Sequence, residues 1–117
     1  MEARIENAYG DIEISTKVFA DLAGYAATGA YGVVGMANRS KTDGIVRLLK
    51  KDAIDKGVKV TVDGGDVVIE LHIMVEYGVN IRAISDSIIN KVRYFVESST
   101  GFNVRKVTVH VDAIHVD

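Results

Sequence analysis

Apolar positions recur along the chain with two periods, and the alternation between them predicts the elements. Ile12 and Ile14 interleave with Asp11 and Glu13, the two-residue period of a short strand. Ser15 or Thr16 then caps a predicted helix running to about Thr28, with Val18, Leu22 and Ala26 on its apolar arc. The same segment holds Ala20, Ala23, Gly24, Ala27 and, just beyond, Ala30, small residues that admit close approach of another element. Gly29, Gly32 and Gly35 punctuate a turn and a short buried strand over Val33–Met36. After a loop, Thr42 or Asp43 caps a second predicted helix ending at Gly57. Ile45, Leu48, Leu49 and Ala53 share one of its faces; Arg47, Lys50 and Lys51 share the other, with Ile54 among them.

The second half is patterned more sharply. Val58, Val60 and Val62 alternate with polar residues up to Asp63-Gly64-Gly65-Asp66, a strong hairpin signal. The return strand places Val67, Ile69, Leu71, Ile73, Val75 and Tyr77 on one face and Val68, Glu70, His72, Met74 and Glu76 on the other. Gly78 turns the chain and Asn80 caps a long helix whose stripe is Ile81, Ile84, Ile88, Val92, Phe95 and Val96. Opposite the stripe, Arg82–Asp86 and Arg93–Glu97 have the spacing of ion pairs. Gly101 stops the helix, and Val107, Val109 and Val111 define a last strand whose alternation breaks at Asp112–Ala113, as at a bulge. The predicted order is β-α-β-α-β-β-α-β. It describes one two-layer α+β domain over 1–117, with helices on one face of a mixed sheet and residues 1–9 outside the ordered fold.

Composition narrows the function classes. At 117 residues with 48% hydrophobic and 26% charged positions, this is the profile of one globular domain. The absence of cysteine excludes a disulfide framework, a thiolate metal site and a cysteine nucleophile, and fits a reducing cytosol. The acidic start MEARIENAYGD has no apolar core of a signal peptide, and no apolar run has the length of a membrane helix. Membrane contact is therefore expected only from outside or through a partner. The net charge of −2 hides an asymmetry: residues 39–59 carry seven of the 14 basic residues against three acids. That stripe is either a solvated helix face or a docking surface for an anionic partner.

Tests for chemistry are mostly negative. His72, His110 and His115 form no close helical pair, although alternation places His72 and His110 on the mixed sheet face near Glu70, Glu76 and Asp112. Solvent-facing histidines are the ordinary account of that face, and no metal or other cofactor is expected. Ser15, Ser85, Ser87 and Thr42 have capping or helix-surface roles, no GxSxG elbow occurs, and no nucleophile, base and orienter can be named together. Gly29–Gly35 has the spacing GxxGxxG with apolar Val33, Val34 and Met36 inside or beside it, unlike a phosphate cradle or a basic GxxG clamp on RNA. Aromatics make up 7% of the chain, few for a base-stacking platform.

GDIEIS at 10–15, VVGM at 33–36, VEYGVNI at 75–81 and VESSTGFNVRKVTVHV at 96–111 resemble, in order and spacing, the alkaline-shock-protein family of Gram-positive envelope stress response proteins. The similarity spans the chain and is densest after Gly57. One departure is TGAYG at 28–32, where relatives often place an acidic residue and valine before the glycine. The resemblance implies a cytosolic, non-enzymatic protein that self-associates, serves envelope homeostasis and is held at the membrane by a separate anchor protein. It carries no catalytic residue over. The expected function is thus a scaffold acting through protein contacts, with Arg47, Lys50, Lys51, Ile54, His72 and Met74 as candidate contact residues. Self-association is expected through the small-residue helix or the mixed sheet face. The alternative is a nucleic-acid-binding domain using the basic 39–59 segment.

Overall fold

The computed structural model describes residues 2–40 and 44–116. Its elements are β1 (Glu2–Asn7), β2 (Gly10–Ser15), α1 (Thr16–Thr28), β3 (Val33–Met36), a 3₁₀ turn (Lys51–Gly57), β4 (Val58–Asp63), β5 (Asp66–Glu76), α2 (Ile81–Thr100) and β6 (Asn103–His115). The architecture is α+β, with the helices stacked against one face of a mixed sheet.

β5 is the axis of that sheet. It pairs in parallel with β6 along its whole length. Its other edge is shared end to end: β4 pairs antiparallel with residues 66–71, and β3 with residues 73–75. Val67, Ile69, Leu71, Ile73 and Val75 on β5 are all fully buried, as period-two alternation requires of a strand with one dry face. Each such burial contributes roughly 1.5–3 kcal/mol. Gly64 and Gly65 both take positive φ, so the β4–β5 hairpin turn is built from the residues that tolerate it.

α2 covers the sheet with Ile84, Ile88, Val92 and Val96. The Asn80 side chain accepts a hydrogen bond from the Ala83 amide at 3.0 Å, closing the helix start. Arg82–Asp86 and Arg93–Glu97 sit at 3.9 and 3.7 Å as the spacing predicts. Glu97 also accepts from the Val104 amide at 2.9 Å, tying α2 to β6. The pairing shift opposite Ile73–Met74 is the bulge expected at Asp112–Ala113.

Four expectations need correction. Residues 2–7, expected outside the fold, form β1, which pairs antiparallel with β2 in a separate two-stranded sheet. On α1 the buried residues are Phe19, Ala20, Ala23, Gly24, Ala26 and Ala27, whereas Val18 faces outward. The small-residue face therefore packs inside this chain, with Ile54 and Val58 beside Gly24, and is not open to a second copy. The Ser15 side chain makes no capping bond at the start of α1.

The fourth correction is the helix expected before Gly57. Thr42 and Asp43, its expected caps, lie outside the described residues. Residues 45–50 run as irregular chain beside the end of β3, and a 3₁₀ turn follows. The unpaired edge of β3 wins their backbone groups: the Leu49 amide donates to Met36 O at 2.8 Å, and the Asn38 amide donates to Arg47 O at 3.0 Å. The Arg47 amide in turn donates to the Asn38 side chain at 2.6 Å. Gly57 is set by close approach, since a Cβ there would lie 2.7 Å from the Ala37 carbonyl oxygen.

Candidate functional site

Loss of that helix disperses the basic stripe. Arg47, Lys50 and Lys56 ring a shallow hollow with Asn38 and Asp52. Lys51 and Ile54 face the helix side of the molecule, and Lys59 lies on the polar face of β4, opposite Glu70. Lys41 lies outside the described residues. The candidate residues Arg47, Lys50, Lys51 and Ile54 thus belong to two surfaces, and His72 and Met74 to a third.

That third surface is the sheet face turned away from the helices. The β5–β6 register sets His72 directly beside His110, and their rings stack with centroids 4.5 Å apart and planes 12° from parallel. His72 Nδ1–H donates to Asp112 Oδ2 at 2.8 Å, and His110 Nε2–H donates to Glu70 Oε1 at 3.1 Å. The hydrogen bond from His110 holds the Glu70 carboxyl below its ordinary value, against the opposing effect of its burial. Met74 lies one register step beyond Ile73, opposite Ala113. Among the described residues, no three His, Cys, Asp or Glu are disposed to hold a metal ion. The four polar groups are engaged with each other and bridge two strands.

The helix side carries a groove of about 680 Å³ between the end of α1, β3, the 3₁₀ turn and α2. Tyr25, Phe95, Tyr94 and Ile54 form apolar parts of its wall, and the Tyr25 and Phe95 rings lie 6.2 Å apart. Among the described residues, its charged lining residues are Lys51 and Lys91. Phe95, read as part of the α2 core stripe, is half-buried and turns toward this groove.

The β1–β2 hairpin is an arm. Ala3 is buried against the body, and its partner Ile14 is half-buried. The same face continues outward through the Ile5–Ile12 pair, where Ile5 is half-buried and Ile12 is 50% exposed, and Tyr9 stands fully exposed at the turn. The opposite face bears Arg4 paired to Glu6, Asp11 and Glu13. Glu2 is raised above its ordinary value by its hydrogen bond to Glu13 and by that carboxylate's charge.

All five tyrosines of the chain, at positions 9, 25, 31, 77 and 94, are 66% or more exposed. Tyrosine combines a large apolar ring with a polar tip and is enriched where proteins meet. Sequence reasoning misses Tyr9, Tyr25 and Lys91 as surface candidates. The available signal is that Tyr9, Tyr25, Tyr31 and Tyr94 fall outside every apolar stripe.

Comparison with known proteins places this geometry. The family model of the alkaline shock proteins, described as having a cell envelope-related function, matches residues 4–116. An uncharacterised Bacillus subtilis protein, YloU, is 35% identical over 117 residues, covering 99% of this chain and 98% of its own length. An uncharacterised Streptococcus pyogenes protein, Spy1614, is also 35% identical over 117 residues, with coverage of 99% and 97%. Among solved structures, the MamM CTD in a manganese form superposes with a TM-score of 0.51 at 15% identity, covering 85% of this chain and 99% of that one. A further MamM CTD chain gives a TM-score of 0.53 at 14% identity, with coverage of 87% and 96%, so the likeness is one of fold. The family match extends over nearly the whole chain and agrees with the resemblance read from the sequence: this protein belongs to the alkaline-shock-protein family, whose function is cell envelope-related.

Proposed function

We propose that the protein is a non-enzymatic scaffold of cell-envelope homeostasis and stress response. It works through protein contacts, including contacts with copies of itself. It stays at the cytoplasmic face of the membrane through a partner protein. The observation that carries this reading is the placement of every tyrosine on the surface, beside an apolar groove and an apolar arm. The polar clusters point the same way, because the Glu70–His110 and His72–Asp112 pairs join β5 to β6. No described helix is long and apolar enough to cross a membrane, so attachment by a helix of this segment is not part of the proposal.

Membrane fractionation of the native cell tests the reading. The protein should co-sediment with membranes and be released when membrane proteins are digested by an added protease. Retention after digestion would replace the protein anchor with direct lipid contact. The alternative class, nucleic-acid binding by residues 39–59, rests on local net charge alone. Sedimentation abolished by nuclease, with a steep salt dependence, would favour it over the scaffold.

A further inference from the structure

The arm and the groove are complementary in polarity and in net charge. The arm offers Ile12 and Tyr9 as exposed apolar side chains, on a segment where Glu2, Glu6, Asp11 and Glu13 outnumber Arg4. The groove offers the apolar walls of Tyr25, Tyr94, Phe95 and Ile54, with Lys51 and Lys91 as its charges among the described residues. A lone two-stranded ribbon is marginal in water, so an exposed apolar ribbon face gains stability by being covered.

The arm does not cover the groove of its own chain. It joins α1 at Thr16, whereas the groove is lined by the last turns of that helix, from Tyr25 onward. Thirteen helical residues separate the two ends by about 20 Å. Within its own chain, the principal contacts of the arm are with α1.

We infer that the β1–β2 arm of one copy docks by its apolar side in the groove between α1, β3 and α2 of a second copy, the arm's net negative charge favouring approach to Lys51 and Lys91. This rests on the self-association included in the proposed function and names its two surfaces. Each copy gives an arm and receives one, so the contact closes when two copies exchange arms or propagates into a ring or chain of copies.

Sedimentation velocity over a concentration series tests the inference with two variants. Tyr9→Ser with Ile12→Ser damages the arm; Lys51→Glu with Lys91→Glu reverses the groove charge. All four positions carry exposed side chains, and circular dichroism checks that both variants keep the wild-type fold. If the double arm variant unfolds, Tyr9→Ser alone is used, since that side chain is fully exposed in its own chain.

Wild type should form dimers or larger species, and each variant alone should sediment as monomer. An equimolar mixture should give a dimer and nothing larger, because one intact arm then meets one intact groove. Wild type that stays monomeric at every concentration overturns both the inference and the self-association beneath it. Wild-type assembly unchanged in both variants overturns the inference alone and moves self-association to another surface.

Discussion

The β5–α2–β6 unit and the β1–β2 arm are both built from alternating strands, yet they differ in where their apolar residues find partners. In the unit, the inward residues of β5 meet α2 within the same chain, and every one from Val67 to Val75 is fully buried. In the arm Ala3, Ile14 and part of Ile5 reach the body, whereas Ile12 and Tyr9 stand in solvent. Periodicity reports which residues favour burial. It does not report whether the covering surface belongs to the same chain.

Substitutions can break this comparison at measured points. The largest effect should come from Leu71→Ala at the centre of the unit, where a fully buried side chain is removed and a cavity is left. Urea denaturation should show a loss of about 2–5 kcal/mol. Gly57→Ala should come next, at about 1–3 kcal/mol, because the new Cβ meets the Ala37 carbonyl oxygen and the backbone must shift. Asn80→Ala removes the cap of α2 and should lower stability by about 1 kcal/mol in the same assay. Arg82→Ala breaks an ion pair at 3.9 Å between exposed side chains, and its effect should stay below about 0.5 kcal/mol.

A pH series sharpens the description of the open sheet face. The Glu70 carboxyl lies below its ordinary value of 4.5, chiefly through the hydrogen bond from His110. A carboxyl lowered in the folded state stabilises the fold while ionised, and that contribution is lost as pH falls through the lowered value. The stability difference between wild type and Glu70→Gln should therefore be constant above the ordinary carboxylate range and shrink below pH 4.5. A difference that grows on acidification would contradict the His110–Glu70 pair.

The second half of the fold is legible because its signals agree with one another. Gly64-Gly65, Asn80 and Gly101 each mark a boundary, and the stripes between them keep one period. The 45–56 segment misleads because helical spacing of Ile45, Leu48 and Leu49 says nothing about the free edge of β3, which takes the Leu49 amide. β1 escapes notice because Glu2–Asn7 holds only Ala3 and Ile5 as apolar alternation among charges. The pairing of His72 with His110 is within reach of alternation, although register needs the structure. The groove is not legible, since it gathers Tyr25, Lys51 and Tyr94 from three separate segments.

Amide hydrogen exchange followed against protein concentration tests most directly the claim that the arm is completed by another copy. Amides of β5 should be protected to the same degree at every concentration, because their partners are within the chain. Amides of Ile12 and Ile14 should exchange rapidly when dilute and gain protection as concentration rises, as binding coupled to folding requires. Protection of the arm that is the same at all concentrations would contradict the account.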